Sequence, residues 1–275
     1  MNEWHNVLEH YGTLSLRARV NEALLNAGLT ADRLDWSELA PLDQFHVRGL
    51  AATKELAAKL PITSDTTVLD VGSGLGGPAR FLAATYGCHV TGIDLNQAFV
   101  DVADMLAIRA GLMDKVTYRW ANALNLPFGD TSFDHVWTQH VAMNIADREG
   151  LYREIRRVLK PGGSLAIYDV VTGDGRPLHY PVPWAKERES SFLLTPDAMR
   201  SALRSDGFTT VSWEDKTEAG VAWFAQQRSM NQSADRLSLG IHVVMGAEFA
   251  AMTANLAQNL REGRARLVQA IVRKQ

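Results

Sequence analysis

The sequence predicts an α/β protein built on a doubly wound, mostly parallel seven-stranded sheet. Three observations predict it. From residue 66 onward, short apolar runs alternate with helix-length amphipathic segments, a pattern that calls for a parallel sheet covered on both faces. A glycine-rich run, VLDVGSGLGG at residues 68–77, lies between the first such strand and the helix after it. A carboxylate, Asp94, follows the second strand.

Ahead of the alternating region, residues 14–29 place Leu14, Leu16, Val20, Leu24 and Leu25 near one face of a helix ending at Gly28. Residues 49–60 form another helix, stopped by Pro61. The core then reads as strand 67–71, helix 78–86, strand 89–93, helix 97–110 ending at Gly111, strands 116–120 and 133–138, helix 148–159 and strand 164–170. Residues 172–195 are rich in glycine, proline and aromatics and too long for a plain connector, so they are expected to cap a site. A helix at 195–204 has Thr195 as N-cap and Pro196 at its first position. Strands 208–213 and 265–272 complete the seven, and the segment between them, with a helix-like stretch at 248–260, is a second candidate cap. The expected organisation is an N-terminal helical lid over residues 1–60 and a core over 61–275, with cap insertions at about 172–195 and 216–264.

The 275 residues carry 28 Lys and Arg against 31 Asp and Glu, a formal net charge of −3, with no basic tail, which argues against a nucleic-acid partner. Apolar residues at 46% with 21% charged exclude wholesale disorder. The single cysteine, Cys88, permits no intrachain disulfide and favours a cytoplasmic setting. No apolar run approaches the ~18 residues that span a bilayer, so no membrane insertion is expected. The start, MNEWHNVLEHYG, lacks the basic and apolar regions of a signal peptide. Homo-oligomerisation is left open.

Glycines at 72, 74 and 76 let the chain turn sharply and approach a ligand closely. Gly72, Gly74 and Gly77 also fit G-x-G-x-x-G, a fingerprint that is weak alone. Asp94, 22 residues after Gly72, can accept hydrogen bonds from both ribose hydroxyls. Together these point to an adenosine-type cofactor without choosing one. Asp70, two residues before the first glycine, tilts the choice. A carboxylate there repels a diphosphate and attracts the ammonium and sulfonium of S-adenosylmethionine (SAM). Alternatively, Asp70 only holds the loop through backbone N–H groups.

VLDVGSGLGG, GIDLN, ANALNLPFGDTSFDHVWTQHV and VLKPGGSLAIYD resemble, in order and spacing, the motifs of class I SAM-dependent methyltransferases, which have a Rossmann-like fold. The resemblance covers about residues 45–212. Within the class it is similar to the group containing the ubiquinone/menaquinone-biosynthesis, sarcosine/dimethylglycine and phosphoethanolamine methyltransferases. It implies SAM as cofactor, S-adenosylhomocysteine (SAH) as product and a small-molecule methyl acceptor as partner.

The resemblance implies that Asp70, Gly72, Gly74, Gly76, Asp94 and the adjoining Leu95 hold the cofactor, with Asn122–Ala123 at the adenine ring. The family usually has Asp-Ala there; a turn-forming Asn is the alternative. Gln139 is expected to face the cofactor, while His140, Met143 and Asn144 begin the substrate wall, in keeping with ligand binding at strand carboxyl ends. His140 is the candidate general base, or else a structural histidine; His135, within the strand, is read as structural. ELAPLDQFHVRGLAATKELA resembles a lid segment whose Gln44, His46, Arg48 and Thr53 meet the SAM carboxylate or the substrate, Arg48 being the natural carboxylate partner. Tyr11 is a further lid candidate, and Tyr180 and Trp184 are candidates for an aromatic substrate wall.

Methyl transfer from a sulfonium is an in-line displacement that asks the protein to align the nucleophile and exclude water. No metal is called for, and the eight histidines have no metal-ligand spacing. The sequence leaves O-, N- and C-methylation open. An NAD(P)-dependent oxidoreductase and a non-catalytic SAM-binding protein are the competing readings.

Overall fold

The computed structural model describes residues 15–231 and 239–275. Its centre is one seven-stranded sheet: β1 (Thr67–Val71), β2 (His89–Asp94), β3 (Val116–Trp120), β4 (Phe133–Gln139), β5 (Leu159–Thr172), β6 (Phe208–Asp215) and β7 (Ala265–Lys274). The order is β3-β2-β1-β4-β5-β7-β6. The first five strands pair in parallel, whereas β7 runs antiparallel to both β5 and β6.

Among the described residues three α-helices precede the sheet, α1 (Leu16–Asn26), α2 (Ala40–Asp43) and α3 (Gly49–Ala57), and the helices between the strands are α4 (Gly77–Tyr86), α5 (Gln97–Ala110), α6 (Arg148–Val158), α7 (Pro196–Ser205), α8 (Thr217–Asn231), α9 (His242–Met245) and α10 (Phe249–Arg261). Their boundaries follow local chemistry. Asn96 caps α5 by accepting from Ala98 N, and Gly111 ends that helix in the left-handed conformation. Asp147 and Thr195 cap α6 and α7 by accepting from Gly150 N and Ala198 N.

Alternation along the strands sorts side chains into two apolar layers. Val68, Trp137, Ala166, Tyr168 and Leu267 face one side, where they meet Leu56, Phe81 and Leu260 from α3, α4 and α10. Leu69, Val71, Val136 and Ile167 face the other, against Leu151, Ile155, Met199 and Leu203 of α6 and α7. In a third cluster, Leu16, Val20 and Leu24 of α1 pack with Val102 and Leu106 of α5.

The structure moves several expected boundaries. The first helix is shorter than 14–29, and Leu25, expected on its apolar face, is 62% exposed because that face runs through Val20, Ala23 and Leu24. Residue 14 lies outside the described residues. The helix expected over 49–60 closes at Ala57. β2 and β4 each run one residue further, making Asp94 and Gln139 strand-terminal. β5 is longer than 164–170 because it pairs with β7 from Ser164 to Thr172.

The segment after β5 is joined to α10. Asn259, fully buried, accepts from His179 N at 2.8 Å and donates to His179 O at 3.0 Å, and Asn255 Nδ2 donates to Pro181 O at 2.9 Å. Among the described residues no helix is long and apolar enough to cross a membrane.

Candidate functional site

The carboxyl ends of β1, β2, β4 and β5 converge on the glycine loop, the place where open α/β sheets bind ligands. Asp94 ends β2 and braces that loop. Its Oδ2 accepts from Gly74 N and its Oδ1 from Asn96 N, both at 2.9 Å. Burial raises its pKa, and these N–H groups partly offset the rise. Each carboxylate oxygen has a second lone-pair direction, so two ribose hydroxyls can still be accepted.

Asp70 is different. It is 2% exposed and its Oδ2 has no hydrogen-bond partner. Burial, reinforced by the charge of Asp94, pushes its pKa up to about 8. Asp94, rather than Asp70, is therefore the loop brace. An isolated buried carboxyl is costly unless a cation arrives.

Four of the loop's N–H groups are consumed internally. Gly72 N and Ser73 N both donate to Ile93 O, Gly74 N to Asp94 and Gly76 N to Ser73 O. A dinucleotide loop needs such groups free to cradle a diphosphate. The individual glycines also answer to packing. A Cβ on Gly72 would meet Val141 at 2.5 Å, and one on Gly76, at φ +79°, would meet the Tyr118 hydroxyl at 2.1 Å. Gly76 thus makes room for Tyr118, whose hydroxyl donates to the Gly76 carbonyl at 3.0 Å.

The chain before α3 lies over this loop. Phe45 comes within 3.3 Å of the position a Gly74 Cβ would take. Thr53 donates to Gln44 Oε1 at 2.7 Å, and its oxygen lies 3.0 Å from His46 Nε2. That nitrogen also faces the Gly49 carbonyl at 2.9 Å, so it carries the proton and His46 Nδ1 is the acceptor. Burial, against the Gly49 hydrogen bond, lowers the His46 pKa to about 4. Gln139 Oε1 accepts from Trp137 Nε1 at 2.8 Å. Indole N–H only donates, which fixes the amide and leaves Gln139 Nε2, buried and unpartnered, as a free donor. Asp43, Phe45, His46, Asp70, Gly72, Ser73, Gly74, Pro78 and Gln139 line a cavity of about 30 Å³.

His140 adopts a left-handed φ of +55°, uncommon outside glycine, while its N–H still donates to Tyr168 O at 2.8 Å. Its ring stacks on Tyr168 at 5.2 Å and meets His46 edge-on at 6.0 Å. His140 Nε2 is buried without a partner. Burial, with His46 adding to it, holds the imidazole well below its ordinary value.

The other expected residues are dispersed. Leu95 is 65% exposed, its carbonyl accepting from Trp120 Nε1. Asn122 is exposed, and its Oδ1 accepts from Leu124 N at 2.9 Å, the turn geometry. Ala123 beside it is half-buried. Met143 is buried in the core layer, with its carbonyl accepting from Phe192 N. Asn144 is exposed and bonds Val141 O. Trp184 donates to Ser191 Oγ, and Tyr180 is half-buried next to a cis peptide with Pro181. Tyr11 lies outside the described residues. His135 is buried near the opposite end of β4. The sequence reading missed Tyr168, fully buried and directly before Asp169 in the apolar stretch of β5. The strand-end rule would have flagged it. A wider cleft, about 510 Å³, is lined by Arg153, Arg156, Lys274 and others around the amino-terminal ends of the strands.

SAM fits these residues on the structure's own terms. An orphaned carboxyl asks for a cation and repels a diphosphate, a strand-terminal acid has lone pairs for a ribose, and four of the loop's N–H groups are already taken. Comparison with known proteins agrees. Residues 69–167 match the family described as methyltransferase domain. The chain is 37% identical to methyltransferase GfsG of Streptomyces halstedii, over 50% of this chain and 49% of that one. It is 31% identical to O-methyltransferase resE of Aspergillus sclerotiorum, over 66% of this chain and 69% of that one. It spans about half or less of the length of several other curated relatives. Among solved structures, the [4+2]-cyclase SpnF aligns over 93% of this chain and 92% of its own, at 25% identity and a TM-score of 0.65. The geranyl diphosphate C-methyltransferase of Streptomyces coelicolor A3(2), solved with SAH, aligns over 82% and 80%, at 19% identity and a TM-score of 0.67. The chain belongs to the SAM-dependent methyltransferase family.

Proposed function

We propose that this protein moves a methyl group to an O, N or C nucleophile of a small molecule by in-line displacement. The observation that carries the proposal is Asp70, a buried carboxyl at the end of β1 with an unpartnered oxygen and a raised pKa. When bound, SAM supplies a methyl group already activated on a sulfonium. The chain's own residues then have to hold, align and dry the reactants. Asp70 neutralises the ammonium side of the cofactor's amino acid, and Asp94 accepts from its ribose. Gln139 Nε2 donates to the methionyl part. Asn122–Ala123 and Leu95 form the rim on the adenine side. Met143, Asn144, Tyr180 and Trp184 belong to the acceptor side. His140 Nε2 takes the acceptor's proton where the nucleophile has one to lose.

A cavity of about 30 Å³ holds about one water molecule. A nucleoside therefore enters only when Phe45 and its neighbours lift from Gly74. This favours a lid function for residues 1–60, over a core at 61–275 whose caps, at about 172–195 and 216–264, enclose the acceptor.

The test is calorimetric titration with SAH and with NAD, followed by methyl transfer from labelled SAM to a panel of phenols, amines, carboxylic acids and prenyl compounds. SAH binding, no NAD binding and label on at least one acceptor are expected. NAD binding without SAH binding overturns the proposal. A second reading, SAM binding without methyl transfer, is favoured by the match to the [4+2]-cyclase SpnF across 93% of this chain. Tight SAH binding with no labelled product from any acceptor would favour it.

A further inference from the structure

Beyond the glycine loop, a set of charges leads from the surface to the wall of β5. Lys59 pairs with Glu214, which pairs with Lys216 at 2.6 Å. Lys216 also pairs with Glu55, and Glu55 pairs with Arg48 Nη2 at 2.7 Å. Lys59, Lys216 and Arg48 are three cations against two carboxylates, Glu55 and Glu214. The ladder therefore has one positive charge in excess. Its inner end is Arg48, whose Nη1 is buried with no hydrogen-bond partner.

Arg48 is also strained. It is not glycine, yet it holds φ +69° at the N-cap of α3, with no side-chain cap to reward that position. Such conformations persist where surrounding structure over-determines them, often at ligand sites. Glu55 on α3 and Lys216 just after β6 supply that restraint.

Opposite Arg48 stands Tyr168. Its side chain is fully buried and its hydroxyl has no hydrogen-bond partner. Burial raises the phenol pKa, and the neighbouring Arg48 guanidinium partly offsets the rise. Buried hydroxyls and guanidinium N–H groups without partners are rare and costly. His140 Nε2, on the ring stacked against Tyr168, is a third such atom.

We infer that Arg48 Nη1 and the Tyr168 hydroxyl form an anion subsite that receives the carboxylate of the methyl acceptor. This rests on the proposed methyl transfer and narrows its substrate class to acids that present a carboxylate near the reacting atom. A guanidinium N–H and a phenolic O–H are two donors for the two oxygens of a carboxylate. The alternative source of the same chemistry is the carboxylate of the cofactor's own amino acid. Strand order argues for the acceptor. Asp94 and Asp70 lie on β2 and β1, Gln139 on β4, and Tyr168 one strand further on β5. Arg48 does not line the cavity around the glycine loop, although Gln139 and His46 do.

The test uses the full chain and calorimetry. SAH is titrated first; failure of the wild-type protein to bind it would sink the proposed function itself. Acetate, benzoate, acetamide and benzamide are then titrated into the SAH-loaded protein. A carboxylate should bind at least tenfold more tightly than its amide. Arg48→Gln and Tyr168→Phe should each remove that preference, with SAH affinity kept within threefold. Tyr168→Phe deletes only a hydroxyl, so it carries the test should Arg48→Gln fail to fold. Equal or absent binding of acids and amides overturns the subsite. So does a tenfold loss of SAH affinity in Arg48→Gln with 5′-methylthioadenosine, which lacks the amino acid, bound as before. That result would assign Arg48 to the cofactor.

Discussion

Arg80 Nη2 and Asp43 Oδ2 lie 2.5 Å apart, with side chains 1% and 2% exposed. The pair joins the segment that covers the glycine loop to the helix that follows the loop. Asp43 also packs on Gly77, where a Cβ would meet its Oδ1 at 2.4 Å, so the carboxylate stands at the amino end of α4 and in its favourable field. Burial pushes the Asp43 pKa up to about 6, and the Arg80 charge opposes that rise. Arg80→Met should destabilise the protein by about 3–5 kcal/mol in urea unfolding, because it strands a buried carboxylate. Replacing both partners, as Asp43→Leu with Arg80→Met, should recover much of the loss. A double variant no more stable than the single one would mean that the pair is not what makes Arg80 costly to remove.

Asp70 makes cofactor binding depend on pH. Its folded-state pKa, about 8, lies above the ordinary 3.8, so the folded protein without ligand prefers the neutral carboxyl. The sign follows: this preference costs nothing below pH 3.8, and stability is lost as pH rises from there through 8. Asp70→Asn should therefore stabilise the ligand-free protein at pH 7–8, by on the order of a few kcal/mol. The ammonium of SAH should draw the proton off. Calorimetry at pH 7 in buffers of different ionisation enthalpy should show about one proton released by the wild type and none by Asp70→Asn. Equal proton counts would place the cation elsewhere.

Asp94 has two separable duties. Asp94→Ala removes the acceptor for Gly74 N and Asn96 N, and should lower stability by about 1–3 kcal/mol. It should also weaken SAH binding at least tenfold, about 1.4 kcal/mol. The same loss should appear with 5′-methylthioadenosine, since the ribose is common to both, whereas Asp70→Asn should weaken SAH alone. Unchanged nucleoside affinity in Asp94→Ala would leave the acid as a loop brace only.

The core strands were legible because each is an apolar run bounded by glycine, proline or a capping residue, and β1, α5 and β3 fall where the pattern puts them. The places of Asp70 and Asp94 were legible because each lies at the end of an apolar run, Asp70 just before the glycines and Asp94 just before the Asn96 cap. Their division of labour was not. Which acid braces the loop depends on the direction of Gly74 N, a tertiary fact. The packing demand on Gly76 was hidden for the same reason, since Tyr118 arrives from a strand 42 residues away in sequence. The Arg48 ladder was invisible because its members, Lys59, Glu55, Glu214 and Lys216, sit in two distant segments that meet only when β6 closes the sheet edge.

His140 combines a strained backbone with a buried, unpartnered Nε2, and neither feature serves the fold alone. A residue kept for packing would do as well with a relaxed φ. His140→Ala should thus cut turnover severely, with SAH affinity within threefold. The lost ring stack should cost only ~1 kcal/mol, because it contacts Tyr168 at one face. The pH profile separates a proton acceptor from a merely positioned ring. Burial and His46 hold the imidazole well below 6.5, so it imposes no acidic limb near 6.5. The wild-type rate should then be flat or rising between pH 6 and 8, following the acceptor's own ionisation, and His140→Ala should steepen that rise because only the pre-ionised acceptor reacts. If the variant keeps wild-type turnover across that range, the imidazole takes no proton and the acceptor needs no base.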